Sequence, residues 1–296
     1  MLYRQLGNSP LRISAIGFGC MSLQGEPAQD ISLLHEAIDA GINYFDTADL
    51  YDKGQNEELL GKAFKDRRER VVIGSKVGNQ WRSDGTGWDW NPRKGYILKS
   101  IESTLQRLQT TYIDLYQLHG GTMEDPIDEC IEAFELLKQQ GKILQYGISS
   151  IRPAVITTYA LRSSIASVMM QYSLLDRRPE EYCLPFLKDH GIGVLARGTV
   201  AKGLLAGKPP LPFLQYNEAQ VKMAADTIEE LSGPSRTAAQ TATRFVIDNP
   251  VITSAIIGIR NSQHLKEAVA TLDSEPLKNE EWEKLQSLLP IESYKL

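Results

Sequence analysis

Residues 113–149 read IDLYQLHGGTMEDPIDECIEAFELLKQQGKILQYGIS, and this segment alone contains a complete strand–helix–strand unit. Ile113 to His119 is a short apolar run of strand length. After a Gly-Gly break, Asp125 is placed to cap a helix and Pro126 to occupy its first position, where the missing N–H costs nothing. Ile127, Ile131 and Phe134 then recur at helical spacing, Gly141 stops the helix, and Gln145 to Ser149 begins a second strand. Two strands joined through a helix must run parallel, so the unit belongs to an α/β sheet.

Working outward, the same alternation extends almost from end to end. Further strands are expected at Ile16 to Gly19, Asn43 to Asp46, Val71 to Lys76, Val168 to Gln171, Gly193 to Arg197 and Ser254 to Gly258, eight in all with the two already given. Ile31, Leu34 and Ile38 stack on a first helix that Asp30 is expected to cap and Gly41 to end, while Asn91 and Pro92 are expected to open the third. Eight strand–helix units favour a (β/α)8 TIM barrel over an open sheet, because closure removes both exposed edges. The first strand-to-helix turn, Gly17-Phe18-Gly19-Cys20-Met21-Ser22, lacks the third glycine of a dinucleotide fingerprint and argues against a doubly wound fold. The expectation is one domain over 1–296, with an extra helix from Leu277 to Leu289.

The chain has 296 residues, 42% hydrophobic and 23% charged, with a net charge of −5 and no concentrated basic stretch. Nucleic acid and anionic membrane are therefore poor partners. Cys20, Cys130 and Cys183 form no C-x-x-C pair, which points to a reducing compartment, and neither a signal-peptide run nor a membrane-length apolar run is present. A cytoplasmic location is expected.

Barrel enzymes work where strands end at the C-terminal rim. Asp46 ends the second strand, Lys76 the third and His119 the fourth, and Tyr51 lies five residues past Asp46. A lysine inside a barrel mouth needs a carboxylate to stay charged, and Asp46 is placed to supply it. A charged lysine about 4 Å from a phenol, at an effective dielectric of about 20, contributes about 4 kcal/mol. That is about three pKa units toward neutrality, opposed in part by the phenol's own desolvation, making Tyr51 a general acid. A neutral His119 would hold a substrate carbonyl against it. The sequence holds no metal-binding motif, so the reducing equivalent must come from a diffusible hydride donor. The run from Gly258 through Arg260, Asn261 and Ser262 to His264 suits a phosphate at a helix N-terminus.

With these motifs in order, from Gly-Phe-Gly-Cys-Met through Phe45-Asp46-Thr47-Ala48-Asp49-Leu50-Tyr51, Gly74-Ser75-Lys76 and Leu118-His119, the chain resembles the aldo-keto reductase superfamily, most closely its bacterial monomeric-type oxidoreductases. The resemblance implies reduction of aldehydes or ketones with NADPH, Asp46, Tyr51, Lys76 and His119 as the catalytic tetrad, and a monomer. It further implies that Ser149, Ser150 and Gln171 grip the nicotinamide carboxamide, that Cys20, Met21 and Asp46 lie by the nicotinamide ribose, and that the loop containing Gly198, Thr199, Val200, Lys202, Gly203 and Lys208 covers the pyrophosphate. Gly258, Arg260, His264 and Glu267 would recognise the adenosine 2′-phosphate of NADP.

Three positions depart from the family pattern: Arg197 where an aromatic residue often stacks on nicotinamide, Ser150 in place of an asparagine, and Ala268 in place of an adenine-contacting asparagine. Arg197 is expected to turn toward the pyrophosphate. Two long loops, Asn79 to Trp90 and Gly198 to Ser235, should shape the rim, with Met21, Trp81 and Trp88, helped by Trp90, walling an apolar substrate pocket. Two rival readings are a Schiff-base Lys76 and an NADP-binding redox sensor with little turnover.

Overall fold

The computed structural model describes residues 1–291, 293 and 294. Eight parallel strands close into a barrel: β1 Ile16–Gly19, β2 Tyr44–Asp46, β3 Val72–Val77, β4 Ile113–Leu118, β5 Ile143–Ser149, β6 Ser167–Gln171, β7 Gly193–Arg197 and β8 Ile252–Gly258. Neighbours in space are neighbours in sequence, with β8 pairing β1 to close the ring. Around it lie α1 Pro27–Asp39, α2 Gln55–Phe64, α3 Lys94–Arg107, α4 Ile127–Gln139, α5 Pro153–Arg162, α6 Cys183–Asp189, α7 Glu218–Glu230, α8 Ala238–Ile247 and α9 Ser262–Ala270. The extra helix is α10, Asn279–Ser287, inside the expected limits; Trp282 stacks on Phe245 of α8 and Lys284 pairs with Glu230 of α7, so it packs on the outside of the barrel.

Two apolar clusters follow from the alternation of side chains along each strand. The larger lies between strands and helices. The smaller fills the lower barrel with Tyr44, Leu115, Met169, Leu195 and Ile256, and Leu6 and Ile13 seal it from below. Those last two come from an N-terminal hairpin, Tyr3–Gln5 paired with Arg12–Ser14, which plugs the base. Gly7 makes the plug fit: its φ is +56°, and a Cβ there would stand 2.6 Å from Gly193 N.

Three helix starts differ from the sequence expectation, each because a carboxylate or amide has a better use. Asp30 sits inside the first turn of α1, and its oxygens accept from Gln24 N and Gly25 N, anchoring the preceding loop. Asp125 does not cap α4; it accepts from Thr122 N and from Trp90 Nε1. Asn91 and Pro92 precede α3 by a short turn in which Asn91 Oδ1 receives Arg93 N, and the helix begins at Lys94. Both long loops carry structure of their own: Asn79–Trp81 and Trp88–Trp90 form an antiparallel hairpin, and α7 occupies part of the second.

Candidate active site

Register decides what meets at the rim. Asp46 pairs with Gly74, and Lys76 pairs with Gln117 on β4. Gly74 leaves room inside the barrel for Tyr44, since a Cβ there would stand 2.2 Å from the Tyr44 hydroxyl. The next inward residue of β3 is Lys76, 1% exposed. Its Nζ lies 2.6 Å from Asp46 Oδ2, 2.7 Å from the Thr47 carbonyl oxygen and 3.3 Å from Tyr51 Oη. All three N–H bonds of an ammonium thus have an acceptor. His119, whose N–H donates to the Val77 carbonyl, sets its ring edge-on to Tyr51 with centroids 5.9 Å apart.

Tyr51 is carried by a short turn rather than by a strand. Its N–H bonds Ala48 O, and the chain then passes through three residues with positive φ, Asp52, Lys53 and Gly54, before entering α2. Asn56 ties this turn to the barrel. Its Oδ1 accepts from Thr47 Oγ1 at 2.6 Å and its Nδ2 donates to Cys20 O at 2.9 Å, joining the ends of β1 and β2 to α2. Next to it Glu57, fully buried, accepts from Ser75 Oγ at 2.5 Å and from Arg107 Nε at 2.7 Å. Neither residue was singled out by the sequence reading. The available signal was Glu57 standing in the apolar stripe of Leu60 and Phe64.

The electrostatics fit a charged lysine and a neutral imidazole. Burial works to lower the Lys76 pKa, but Asp46 and the Tyr51 oxygen outweigh it and hold the group above its ordinary value. A protonated, triply bonded Lys76 is a poor Schiff-base nucleophile. Burial, with Lys76 and Arg197 nearby, pulls His119 down to about 3, so its ring is neutral at physiological pH. Tyr51 corrects the sequence expectation: burial raises its pKa, and Lys76 does not bring it toward neutrality. The reason is that the lysine's charge is already balanced by Asp46, which itself pushes the phenol up.

The remaining rim residues are placed as follows. Gln171 and Arg197, adjacent in register, are joined by a 3.1 Å hydrogen bond from Arg197 Nη1 to Gln171 Oε1. Gln171, one strand away, thus takes one N–H of the Arg197 guanidinium, and its charge is felt at His119. Ser150 is buried with Oγ accepting from Arg152 N, whereas Ser149 is partly open at the end of β5. Cys20 is buried with its thiol on Phe18 O, while Met21 is 69% exposed. Trp90 packs the hairpin through Asp125, Trp81 lies under Lys53 Nζ at 5.2 Å, and Trp88 faces solvent.

In the loop after β7, Thr199 is buried, Gly198, Lys202 and Lys208 are exposed, and Gly198, Ala201, Lys202 and Gly203 all have positive φ. After β8, Gly258, Arg260 and His264 are exposed, Asn261 caps α9 through His264 N, and Glu267 accepts from Thr237 Oγ1 at 2.8 Å. Among the described residues no group of three His, Cys, Asp or Glu could hold a metal, and no helix is long and apolar enough to cross a membrane.

Residues 15–290 match the Aldo/keto reductase family. The chain belongs to that family. It is 47% identical to an uncharacterized oxidoreductase, YqkF, of Bacillus subtilis, over all of this chain and 99% of the relative. Among solved structures, the holo form of aldo-keto reductase AKR11C1 from Bacillus halodurans superposes with a TM-score of 0.93 at 45% identity, covering 100% of this chain and 98% of that one. The apo form of the same enzyme gives 0.86, as does the glycerol dehydrogenase AKR11B4 of Gluconobacter oxydans at 25% identity, covering 99% and 98%. As a member of the aldo/keto reductase family the protein is an enzyme, an NAD(P)H-dependent oxidoreductase acting on carbonyl groups.

Proposed function

We propose that this aldo-keto reductase reduces aldehydes or ketones to alcohols with NADPH, and that Tyr51 delivers the proton. The observation that carries the reading is the Lys76 ammonium in contact with both Asp46 Oδ2 and Tyr51 Oη at the barrel rim. Bound NADPH supplies the hydride. Neutral His119 donates one ring N–H to the carbonyl oxygen and holds it near Tyr51 Oη. As negative charge develops on that oxygen, Tyr51 gives up its proton, and Lys76 stabilises the phenolate left behind. The raised pKa of Tyr51 in the free protein means that the proton stays in place until an alkoxide, a much stronger base, arrives.

The rim residues fit such a cofactor. The loop after β7 carries Lys202 and Lys208, both exposed, as cations for a pyrophosphate. Ser22 Oγ lies within donating reach of both Gly19 O and Ile259 O, drawing the ends of β1 and β8 together. Arg260, exposed at the Asn261-capped start of α9, suits a 2′-phosphate, which favours NADPH over NADH. Ser149 and Gln171, at the ends of β5 and β6, would hold the cofactor's carboxamide. Met21, Trp81 and Trp88 present apolar surface for a small-molecule aldehyde or ketone.

All three cysteines are free, in keeping with a cytoplasmic enzyme, and the family subgroup resembled favours a monomer. The test is a panel of aldehydes and ketones assayed with NADPH and with NADH. Carbonyl-dependent oxidation of NADPH, weaker with NADH, is the expected result. Tight cofactor binding with no turnover on any carbonyl would overturn the reading in favour of a sensor.

A further inference from the structure

Behind the Lys76–Tyr51 pair lies a second buried carboxyl that the proposed reaction does not use. Asp49 sits three residues after Asp46 and two before Tyr51, is 8% exposed, and its N–H points to the Lys76 carbonyl at 3.4 Å. Its Oδ1 is buried with no hydrogen-bond partner among the described residues. The groups that act on it come from every side: Lys76 on β3, Glu57 on α2, Arg107 and Tyr96 on α3, and Tyr116 on β4.

Counting charge in this cluster decides its state. Lys76 is matched by Asp46 at 2.6 Å and Arg107 by Glu57 at 2.6 Å, so neither cation pairs with Asp49, and their attraction is outweighed by its burial. Its nearest acidic neighbour is Glu57, which repels a second anion. The donor that reaches the Asp49 carboxyl is the backbone N–H of Leu50, on the same turn. A carboxylate buried with a backbone donor on one side, no partner for Oδ1 and no cation of its own is disfavoured, and the group takes up a proton instead.

We propose that Asp49 is a positioning residue held as a neutral carboxylic acid behind Lys76 and Tyr51, and that its ionisation at alkaline pH suppresses proton delivery by Tyr51. The link is electrostatic. Tyr51 becomes a phenolate as it protonates the substrate, and a new negative charge beside the same turn opposes that change while competing for the lysine's field. Burial, with Glu57 adding to it, raises the Asp49 carboxyl to about 8. Tyr51 lies above its ordinary phenol value, so Asp49 is the group that ionises first as pH rises.

This inference rests on the proposed carbonyl reduction, and its test separates the two. In the wild type, kcat/KM for 4-nitrobenzaldehyde with saturating NADPH should fall above pH about 8, by up to roughly tenfold per pH unit for a single ionisation. In Asp49→Asn, whose amide is the neutral isostere of the acid, that inflection should vanish. The second readout needs no turnover. The folded wild type keeps a proton that the unfolded chain sheds above about pH 4, so its stability is lost as pH rises toward 8. The melting temperature of Asp49→Asn should therefore rise relative to wild type by roughly 2 °C per pH unit across that window and level off above it.

A melting-temperature gap independent of pH, or an Asp49→Asn chain that does not fold, overturns the neutral acid. An inflection that persists in Asp49→Asn, or is absent from the wild type, overturns its control of Tyr51. No reduction of any carbonyl at any pH sinks the proposed function, and the melting-temperature arm still decides whether Asp49 is protonated.

Discussion

The two ends of the barrel are made from the same eight strands and are chemically opposite. Moving up the interior, Tyr44 gives way to Asp46 on β2, Leu115 to Gln117 on β4, Met169 to Gln171 on β6, and Leu195 to Arg197 on β7. The lower residues pack against each other and the hairpin plug; the upper ones converge with Lys76. A step of two residues along a strand therefore separates stability from chemistry, and substitutions at the two levels should fail differently.

The largest effect is expected at the upper level. Lys76→Met leaves Asp46 buried without its ion-pair partner, which should cost about 3–5 kcal/mol of stability and abolish carbonyl reduction together. Denaturant unfolding alongside an activity assay checks both halves. At the lower level, Leu195→Ala should cost about 2–5 kcal/mol through the cavity it opens while sparing kcat at a temperature where the variant stays folded. Equal losses of turnover and stability there would mean that the two levels are not separable.

His119 sharpens the contrast through pH. Its folded pKa, about 3, lies below the ordinary histidine value, so the unfolded chain binds a proton the folded one refuses. Stability from this group is present above about pH 6.5 and is lost as pH falls toward 3, at about 1.4 kcal/mol per pH unit. Unfolding of wild type and His119→Gln between pH 4 and 7 should show that slope in the first and not the second. The smallest effect belongs to the rim itself: Asn261→Ala removes the cap of α9 and should cost about 1 kcal/mol while weakening NADPH binding, both measurable by thermal shift with and without cofactor.

The barrel was legible because each strand–helix unit repeats one pattern, and β1 and β7 fall on the residues expected from it. What was lost had no local signal or had one that competed. Strands of three residues, such as Tyr3–Gln5, are too short to show alternation. Asp30 and Asp125 look like caps in sequence, yet each carboxylate serves a donor elsewhere, and only the fold shows which donor is in reach. α7 lies inside a segment expected to be a loop, although Val221, Ala224 and Ile228 share a face behind the Asn217 and Gln220 capping box. Asp46, Lys76 and His119 could be proposed because strand ends are a known address. Asp49 and Arg107 could not, because α2 and α3 have to pack before Arg107 reaches Glu57 and Asp49 is enclosed beside them.

The central claim is that the phenol of Tyr51, set by Lys76, protonates the nascent alcohol. Single-turnover oxidation of bound NADPH by an aldehyde, compared between wild type and Tyr51→Phe at pH 7, addresses it directly. Tyr51→Phe should lose about 10²–10⁴-fold in rate with cofactor affinity unchanged. A Tyr51→Phe enzyme that reduces the aldehyde at the wild-type rate would contradict it.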